Sequence, residues 1–180
     1  MFPYVSNDIV EYGQLFDNLV RAFREVFMWI ENVVRPSSFS FNVFAKTYLC
    51  QVEVYLPDDF EILARVADSL PGGVISEVMP FVSLVLNINV RTEAHRDKWD
   101  KNLCLVLCIG DFSGGALVLK EQGLVLELQS GDFAIFRSSE STHFNLNYIG
   151  RRATFVMQTD MEFDQWVEGR NDWGHSDYFL

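Results

Sequence analysis

The rhythm of hydrophobic positions changes once along this chain, near residue 80. Across residues 7–33, Ile9, Phe16, Leu19, Val20, Phe23, Val26, Phe27 and Ile30 recur at three- and four-residue spacings. That period predicts an amphipathic helix with a wide apolar face, capped by Asn7 or Asp8. Pro36 and its serines end the segment. Residues 41–55, "FNVFAKTYLCQVEVY", are rich in aromatic and β-branched side chains and predict a strand. A second helix is expected over "PDDFEILARVADSLPGG". There Asp58 or Asp59 is the cap, Leu63, Val66 and Leu70 face inward, and Pro71-Gly72-Gly73 is the stop.

From Met79 onward the apolar runs shorten to strand length. They read "FVSLVLNINV", "NLCLVLCIG", "GALVLK", "LVLELQ", "FAIFRS", "FNLNYI" and "RATFVMQT". Turn signals separate them: "DFSGG", "EQG", "QSGD" and "YIGRR". Such closely spaced short strands predict a barrel or jelly roll. The expected fold class is therefore mainly β with N-terminal helices (α+β), in a single domain. Residues 1–80 form a helical and strand buttress, 81–160 the barrel core, and 161–180 a closing helix and tail.

Composition narrows the class. The chain has 180 residues, of which 49% are hydrophobic, enough for one globular core. No apolar run reaches transmembrane length. "MFPYVSNDIVEYG" lacks the basic start and apolar stretch of a signal peptide. Three cysteines (Cys50, Cys104 and Cys108) make no even disulfide framework. Cys104 and Cys108 sit at strand spacing and are expected in the core. Reduced thiols and an intracellular setting, cytoplasmic or nuclear, follow as the expectation. The net charge of −11 argues against a broad nucleic-acid surface and extensive duplex DNA binding. Arg91, Arg96, Lys98 and Lys101 still crowd one stretch and would make a local cationic rim.

That stretch, "TEAHRDKWDK", also holds His95 and Asp97. In a strand, residues two apart point to one face, so imidazole and carboxylate would converge with Arg96 facing away. An H-x-D triplet alone is common by chance. His143, in "STHFNLNY", is the candidate third ligand; the plainer alternative is a half-buried histidine satisfied by a carbonyl. His175, in the polar tail, reads as solvated. Two histidines and one carboxylate suit non-haem Fe(II), leaving positions open for a co-substrate and oxygen. In "GRRATFVMQTD", Arg152 and Thr154 share a face and Arg151 takes the other. An inward Arg with a hydroxyl two residues on can grip a carboxylate. Its plainer alternative is a surface pairing with an acid such as Glu127.

These segments resemble the Fe(II)/2-oxoglutarate-dependent dioxygenases, and within them most closely the fungal TET/JBP-like oxygenases. The similarity runs from Asn87 to about Asp172, carried by "NINVRTEAHRDKWDKNLCLVLCIGDFSGGALVL", "GLVLELQSGDFAIFRSSESTHFNLNYIGRRATFVMQTD" and "WVEGRNDW". It implies a cupin-like double-stranded β-helix with His95, Asp97 and His143 on iron. It also implies Arg152, helped by Thr154, on the distal carboxylate of 2-oxoglutarate. Gly114-Gly115 and Gly131-Asp132 fall at turns such a fold needs. The implied activity consumes O2 and 2-oxoglutarate, oxidises an organic substrate, and releases succinate and carbon dioxide. Asn87, Asn89, Phe133, Phe144 and Asn145 are candidates for the pocket wall, with Asn87 able to reach the co-substrate. The substrate implied is a pyrimidine base or nucleoside. Against it stand the acidic balance and the lack of a cysteine-rich extension, which favour a small metabolite or peptide side chain. For flanking phosphates the chain offers only Arg91, Arg96, Lys98, Lys101 and Arg137. A non-catalytic cupin-like binding barrel and a Zn²⁺ hydrolase on the same ligands are the rival classes.

Overall fold

The N-terminal rhythm folds as a helical stretch, α1 (Asn7–Val34), broken by a kink at Tyr12, in a computed structural model that describes residues 7–34, 51–70 and 76–169. Phe16, Leu19, Val20, Phe23 and Val26 are half-buried and Phe27 is buried, so the shaded positions follow the predicted stripe. The side chains of residues 7–9 and of Ile30 lie outside the described set. The expected strand at 41–55 is corrected where it can be seen. Gln51–Tyr55 is a short helix, α2, and residues 41–50 lie outside the described residues. The reason is local: Leu56 N–H bonds the Val52 carbonyl at 2.7 Å and Phe60 N–H bonds that of Leu56 at 2.9 Å, so helical bonds run through the segment. The strand preference of Val and Tyr is mostly a preference for a half-buried sheet surface, and among the described residues 51–55 pair with no strand.

Helix α3 (Pro57–Asp68) begins with Pro in its first turn, where the missing N–H costs nothing. Its cap is Leu56, which makes no side-chain cap bond. Asp58 and Asp59 instead lie inside the first turn, where a carboxylate meets the positive end of the helix dipole. Leu63 and Val66 are buried, while Leu70 is half-buried beyond the helix end. Ser69 closes α3 by donating both its N–H and its hydroxyl to the Val66 carbonyl. The proposed stop at 71–73 lies outside the described residues.

The strands form a separate compact unit, Ser83–Met161. They are β1 (Ser83–Ile88), β2 (Cys104–Gly114), β3 (Leu117–Leu119), β4 (Leu124–Leu126), β5 (Phe133–Phe136), β6 (His143–Asn145) and β7 (Tyr148–Gln158). Every pairing is antiparallel, in a four-stranded sheet β1-β7-β2-β5 and a three-stranded sheet β4-β3-β6. A cluster joins the two sheets: Cys104, Cys108, Ala134 and Phe136 from the first pack with Leu117, Leu119 and Leu128 beside the second. The predicted run "FNLNYI" is divided. Its first half belongs to β6 and its second to β7, which lie in different sheets. Helix α4 (Glu162–Gly169) follows, in the unit that contains α1–α3; the rest of the tail lies outside the described residues. No helix among the described residues is long and apolar enough to cross a membrane.

One corner decides what the two sheets share. The β2–β3 and β6–β7 segments run side by side through it, with Gly114 opposite Tyr148 in one sheet and Leu117 opposite Asn145 in the other. Between them, Gly115 N–H bonds the Asn147 carbonyl at 3.0 Å and Leu146 N–H bonds that of Ala116 at 3.0 Å. Gly114 has φ of 80°, and a Cβ there would stand 2.8 Å from the Asn147 oxygen. Only glycine takes that bend without strain. The paired ribbon therefore turns from one sheet into the other, which puts His143 and Arg152 on walls of the same space. Arg152 in turn lies opposite Gly110. Gly110 has φ of 127°, and a Cβ there would meet the Arg151 carbonyl oxygen at 2.2 Å. We expect Gly110→Ala to lower stability by about 2–4 kcal/mol, through forced separation of β2 and β7. Denaturant midpoints of the two proteins check this; a change below about 0.5 kcal/mol would refute the close approach.

Candidate metal centre

His95 and Asp97 lie on an extended segment that joins sheet β4-β3-β6 through one residue pair. His95 N–H bonds the His143 carbonyl at 3.1 Å, and His143 N–H bonds that of His95 at 2.9 Å. Asp97 is fixed next, its N–H donating to the Ser138 carbonyl at 3.2 Å. The alternation then acts as the sequence predicts. His95, Asp97 and His143 all line one cavity of about 240 Å³, while Arg96 leaves by the other face.

One ligand atom from each of the three lies within 4.8 Å of the others. Asp97 bridges the rings, with Oδ1 at 3.5 Å from His95 Nε2 and Oδ2 at 3.3 Å from His143 Nε2. The tautomers follow from the far sides of the rings. His95 Nδ1 is 2.7 Å from the Glu93 carbonyl and His143 Nδ1 is 3.0 Å from that of Ser141. A carbonyl only accepts, so each Nδ1 carries a hydrogen. Each Nε2 then faces the Asp97 carboxylate, to which it donates when protonated and beside which it presents a lone pair when not. In the unprotonated form, acceptors converging without a donor between them call for a cation at their centre, whether a proton or a metal ion. Carbonyl-anchored imidazoles beside a carboxylate are also the usual outer support of metal-binding histidines.

The titration directions agree. The hydrogen bond from His143 lowers the Asp97 pKa, burial opposes it, and the charges of His143 and His95 lower it further. Burial of His143 works against its imidazolium, but the bonds to Asp97 and Ser141 and the charges of Asp97 and Asp100 outweigh it, raising its pKa. Exposure is graded, with side chains 41% open at His95, 34% at Asp97 and 10% at His143. The centre therefore has an open side. Donor set and tautomers fit a divalent transition metal such as Fe(II).

Arg152, Thr154, Val156 and Gln158 alternate along β7 and line the same cavity, and Arg151 is exposed on the opposite face. Arg152 is buried, yet no carboxylate among the described residues pairs with it, Glu127 included. Its guanidinium is held by the Cys108 thiol at 3.1 Å and by the Phe112 and Tyr148 rings, whose centroids are 5.5 and 5.8 Å away. Its Nε is buried with no hydrogen-bond partner. A buried guanidinium with a donor to spare suits an incoming carboxylate, so the residues present fit 2-oxoglutarate as well.

Not every wall candidate reaches the cavity. Asn87 faces it, opposite Thr154 on the neighbouring strand. Asn145 lines it but is committed, bonded to Thr92 and to the Gly115 carbonyl. Asn89 is not among the lining residues; its Oδ1 accepts from Arg152 N–H at 3.0 Å and so fixes the strand end. Phe133 and Phe144 do not line it either. Cys104 and Cys108 are free, buried thiols, and burial pushes Cys104 up to about 12. Of the basic residues, Arg96 pairs with Glu121 and Arg137 with Glu140. Sequence reasoning missed Gln158 and Tyr148, although the two-residue period from Arg152 points to both. Thr92, Phe112 and Glu121 carried no local signal.

Among solved structures, the chain is similar to NgTET1 in complex with 5mC DNA, with a TM-score of 0.59 and 18% sequence identity. The match covers 88% of this chain and 56% of that one, so the chain spans little more than half of its neighbour's length. At this identity the likeness speaks to the fold. No protein-family model matches the chain, and no curated protein does.

Asp100 lies beneath the centre, with Ser138 Oγ donating to its Oδ2 at 2.5 Å. Oriented with its nitrogen inward, the Gln158 carboxamide reaches both carboxyl oxygens, at 3.0 and 3.1 Å. Burial raises the Asp100 pKa to about 6, the Ser138 bond opposes this, and the charge of Asp97 adds to it. A carboxyl raised on folding costs nothing below its unfolded value and costs stability as pH climbs through the folded one. In the metal-free protein, Asp100→Asn is therefore expected to gain roughly 1–3 kcal/mol at pH 7–8. The gain should shrink toward zero below pH 4, as followed by denaturant unfolding across that range. A gain independent of pH would contradict the assignment.

Proposed function

We propose that this chain is a non-haem Fe(II)- and 2-oxoglutarate-dependent dioxygenase built on a double-stranded β-helix. The single observation that carries the reading is the pairing of two features in one cavity. At one place three potential ligand atoms lie within 4.8 Å of one another, and at another a buried Arg152 stands without a carboxylate partner among the described residues. The fold likeness to NgTET1 supports it. His95, Asp97 and His143 would hold iron. Arg152 would hold the distal carboxylate of 2-oxoglutarate, with the Thr154 hydroxyl and the Asn87 carboxamide lining the approach. Bound together, iron and 2-oxoglutarate supply oxidation of an unactivated C–H bond at the expense of O2, with succinate and carbon dioxide released. The chain's own part is to orient these groups, keep one side open, and wall the space with Val85, Val106 and Val156. A Zn²⁺ hydrolase would leave the spare donor of Arg152 without a purpose.

For the substrate, two sizes compete. A pyrimidine base or nucleoside is the reading nearest to the fold neighbour. The cavity itself favours a small metabolite or side chain. Its volume of about 240 Å³ lies below the roughly 300–1,000 Å³ of common ligand sites, and the co-substrate takes part of it. No Phe, Tyr or Trp of the described residues lines it, whereas an extruded base is commonly held by stacking.

Mixing the protein with Fe(II) and 2-oxoglutarate without oxygen should produce a visible charge-transfer band. Its absence would end the dioxygenase reading. His95→Ala and Asp97→Ala should abolish the band and succinate release while circular dichroism stays unchanged. Arg152→Ala should raise the 2-oxoglutarate concentration for half-saturation about 10–100-fold, the worth of a charge-assisted pair. A requirement unchanged in Arg152→Ala would move the co-substrate elsewhere. Succinate release stimulated by 5-methylcytosine or thymine oligonucleotides, and not by free metabolites, would select the nucleobase substrate.

A further inference from the structure

The ligands of the candidate metal centre arrive on two segments joined at the His95–His143 pair, with Asp97 N–H on the Ser138 carbonyl and Asn145 bonded to Thr92 to either side. On the face away from the cavity, a side-chain connection braces the two segments further. Arg96, placed between two ligands, donates from Nε to the Thr142 hydroxyl at 3.0 Å and from its terminal nitrogen to Glu121 Oε1 at 2.5 Å. Thr142, which immediately precedes the third ligand, donates its N–H to Glu121 Oε2 at 2.6 Å and its hydroxyl to Oε1 at 2.7 Å. Glu121 sits in the β3–β4 turn, which Lys120 N–H ties to the Thr142 carbonyl at 2.9 Å. The next residue, Gln122, grips the Ser141 hydroxyl at 2.8 Å. Ser141 is also the residue whose carbonyl orients the His143 ring.

We propose that Glu121 is a positioning residue for the metal centre, acting through Arg96 and Thr142 to lock the His95–Asp97 segment against His143. The inference rests on the metal reading above. The carboxylate is bonded to neither the candidate ligands nor the cavity wall; it collects donors from both segments and ties them together. Arg96 and Glu121 are 44% and 35% exposed along their side chains. Exposed pairs add little to global stability. The clamp should therefore show itself in metal affinity and only weakly in melting temperature. Loss of outer supports of metal ligands typically weakens affinity by about 10–100-fold, and the lower end is expected for a support one residue removed.

The test is a titration of the whole protein with Co(II), followed by ligand-field absorption, beside thermal unfolding of the metal-free forms. The parent should bind Co(II). Glu121→Gln and Arg96→Leu should each bind about tenfold more weakly. The double variant should bind no more weakly than either single one, because both changes remove the same clamp. Arg96→Lys, which keeps the charge but loses the fork, should fall between parent and Arg96→Leu. Melting midpoints of all four variants should stay within a few degrees of the parent. Unchanged affinity in Glu121→Gln, or additive losses in the double variant, would overturn the clamp. So would an affinity loss that only accompanies a large fall in melting temperature. A parent that binds no Co(II) would remove the metal centre itself, and with it anything for Glu121 to position.

Discussion

Two imidazole nitrogens and a carboxylate pointed at one another, with room for a cation between them, are the constraint around which this site is arranged. Left alone, such a group repels itself. It persists because each imidazole is pinned from behind by a carbonyl and Asp97 is pinned by the Ser138 carbonyl. The raised affinity of His143 for a proton expresses the same demand for positive charge. A proton and a metal ion would then compete for one position, so metal binding at this site would be coupled to proton release.

The second charged element of the cavity is handled differently. Arg152 is buried without an acid, held by two aromatic faces and a thiol. Rings and sulfur interact with the guanidinium without neutralising it, so its attraction for an organic anion is kept. Had Glu127 paired with it, as a bland reading of the sequence allowed, the space would hold a structural ion pair and nothing to receive a ligand. The two charged features face one cavity because a glycine corner carries the same ribbon from sheet to sheet.

Around this inner set lies an outer one of opposite design. The inner groups keep ligand atoms or a donor toward the cavity, whereas Arg96, Glu121 and Thr142 bond one another on the other face and Gln122 bonds the buried Ser141. Strand alternation makes the division possible, since neighbours in sequence serve opposite faces. One short stretch, His95-Arg96-Asp97, thus contributes to both. Arg96 had looked like part of a cationic rim for phosphates, but its bonds to Glu121 and Thr142 take it out of that rim.

Much of this was legible in residues alone. Hydrophobic period located α1, α3 and the strands from Ser83 onward, because burial on one face imposes its repeat on the chain wherever an element forms. The same two-residue period placed His95 with Asp97 and Arg152 with Thr154 on shared faces. It failed at 51–55, where β-branched content spoke for a strand and local helical bonding prevailed, and at "FNLNYI", where one apolar run serves two sheets. What sequence could not decide was meeting. That His143 comes to His95, that Glu121 reaches Arg96, and that Phe112 and Tyr148 flank Arg152 depend on contacts between residues far apart in the chain. Periodicity encodes which way a side chain points, but only the folded path sets what it points at.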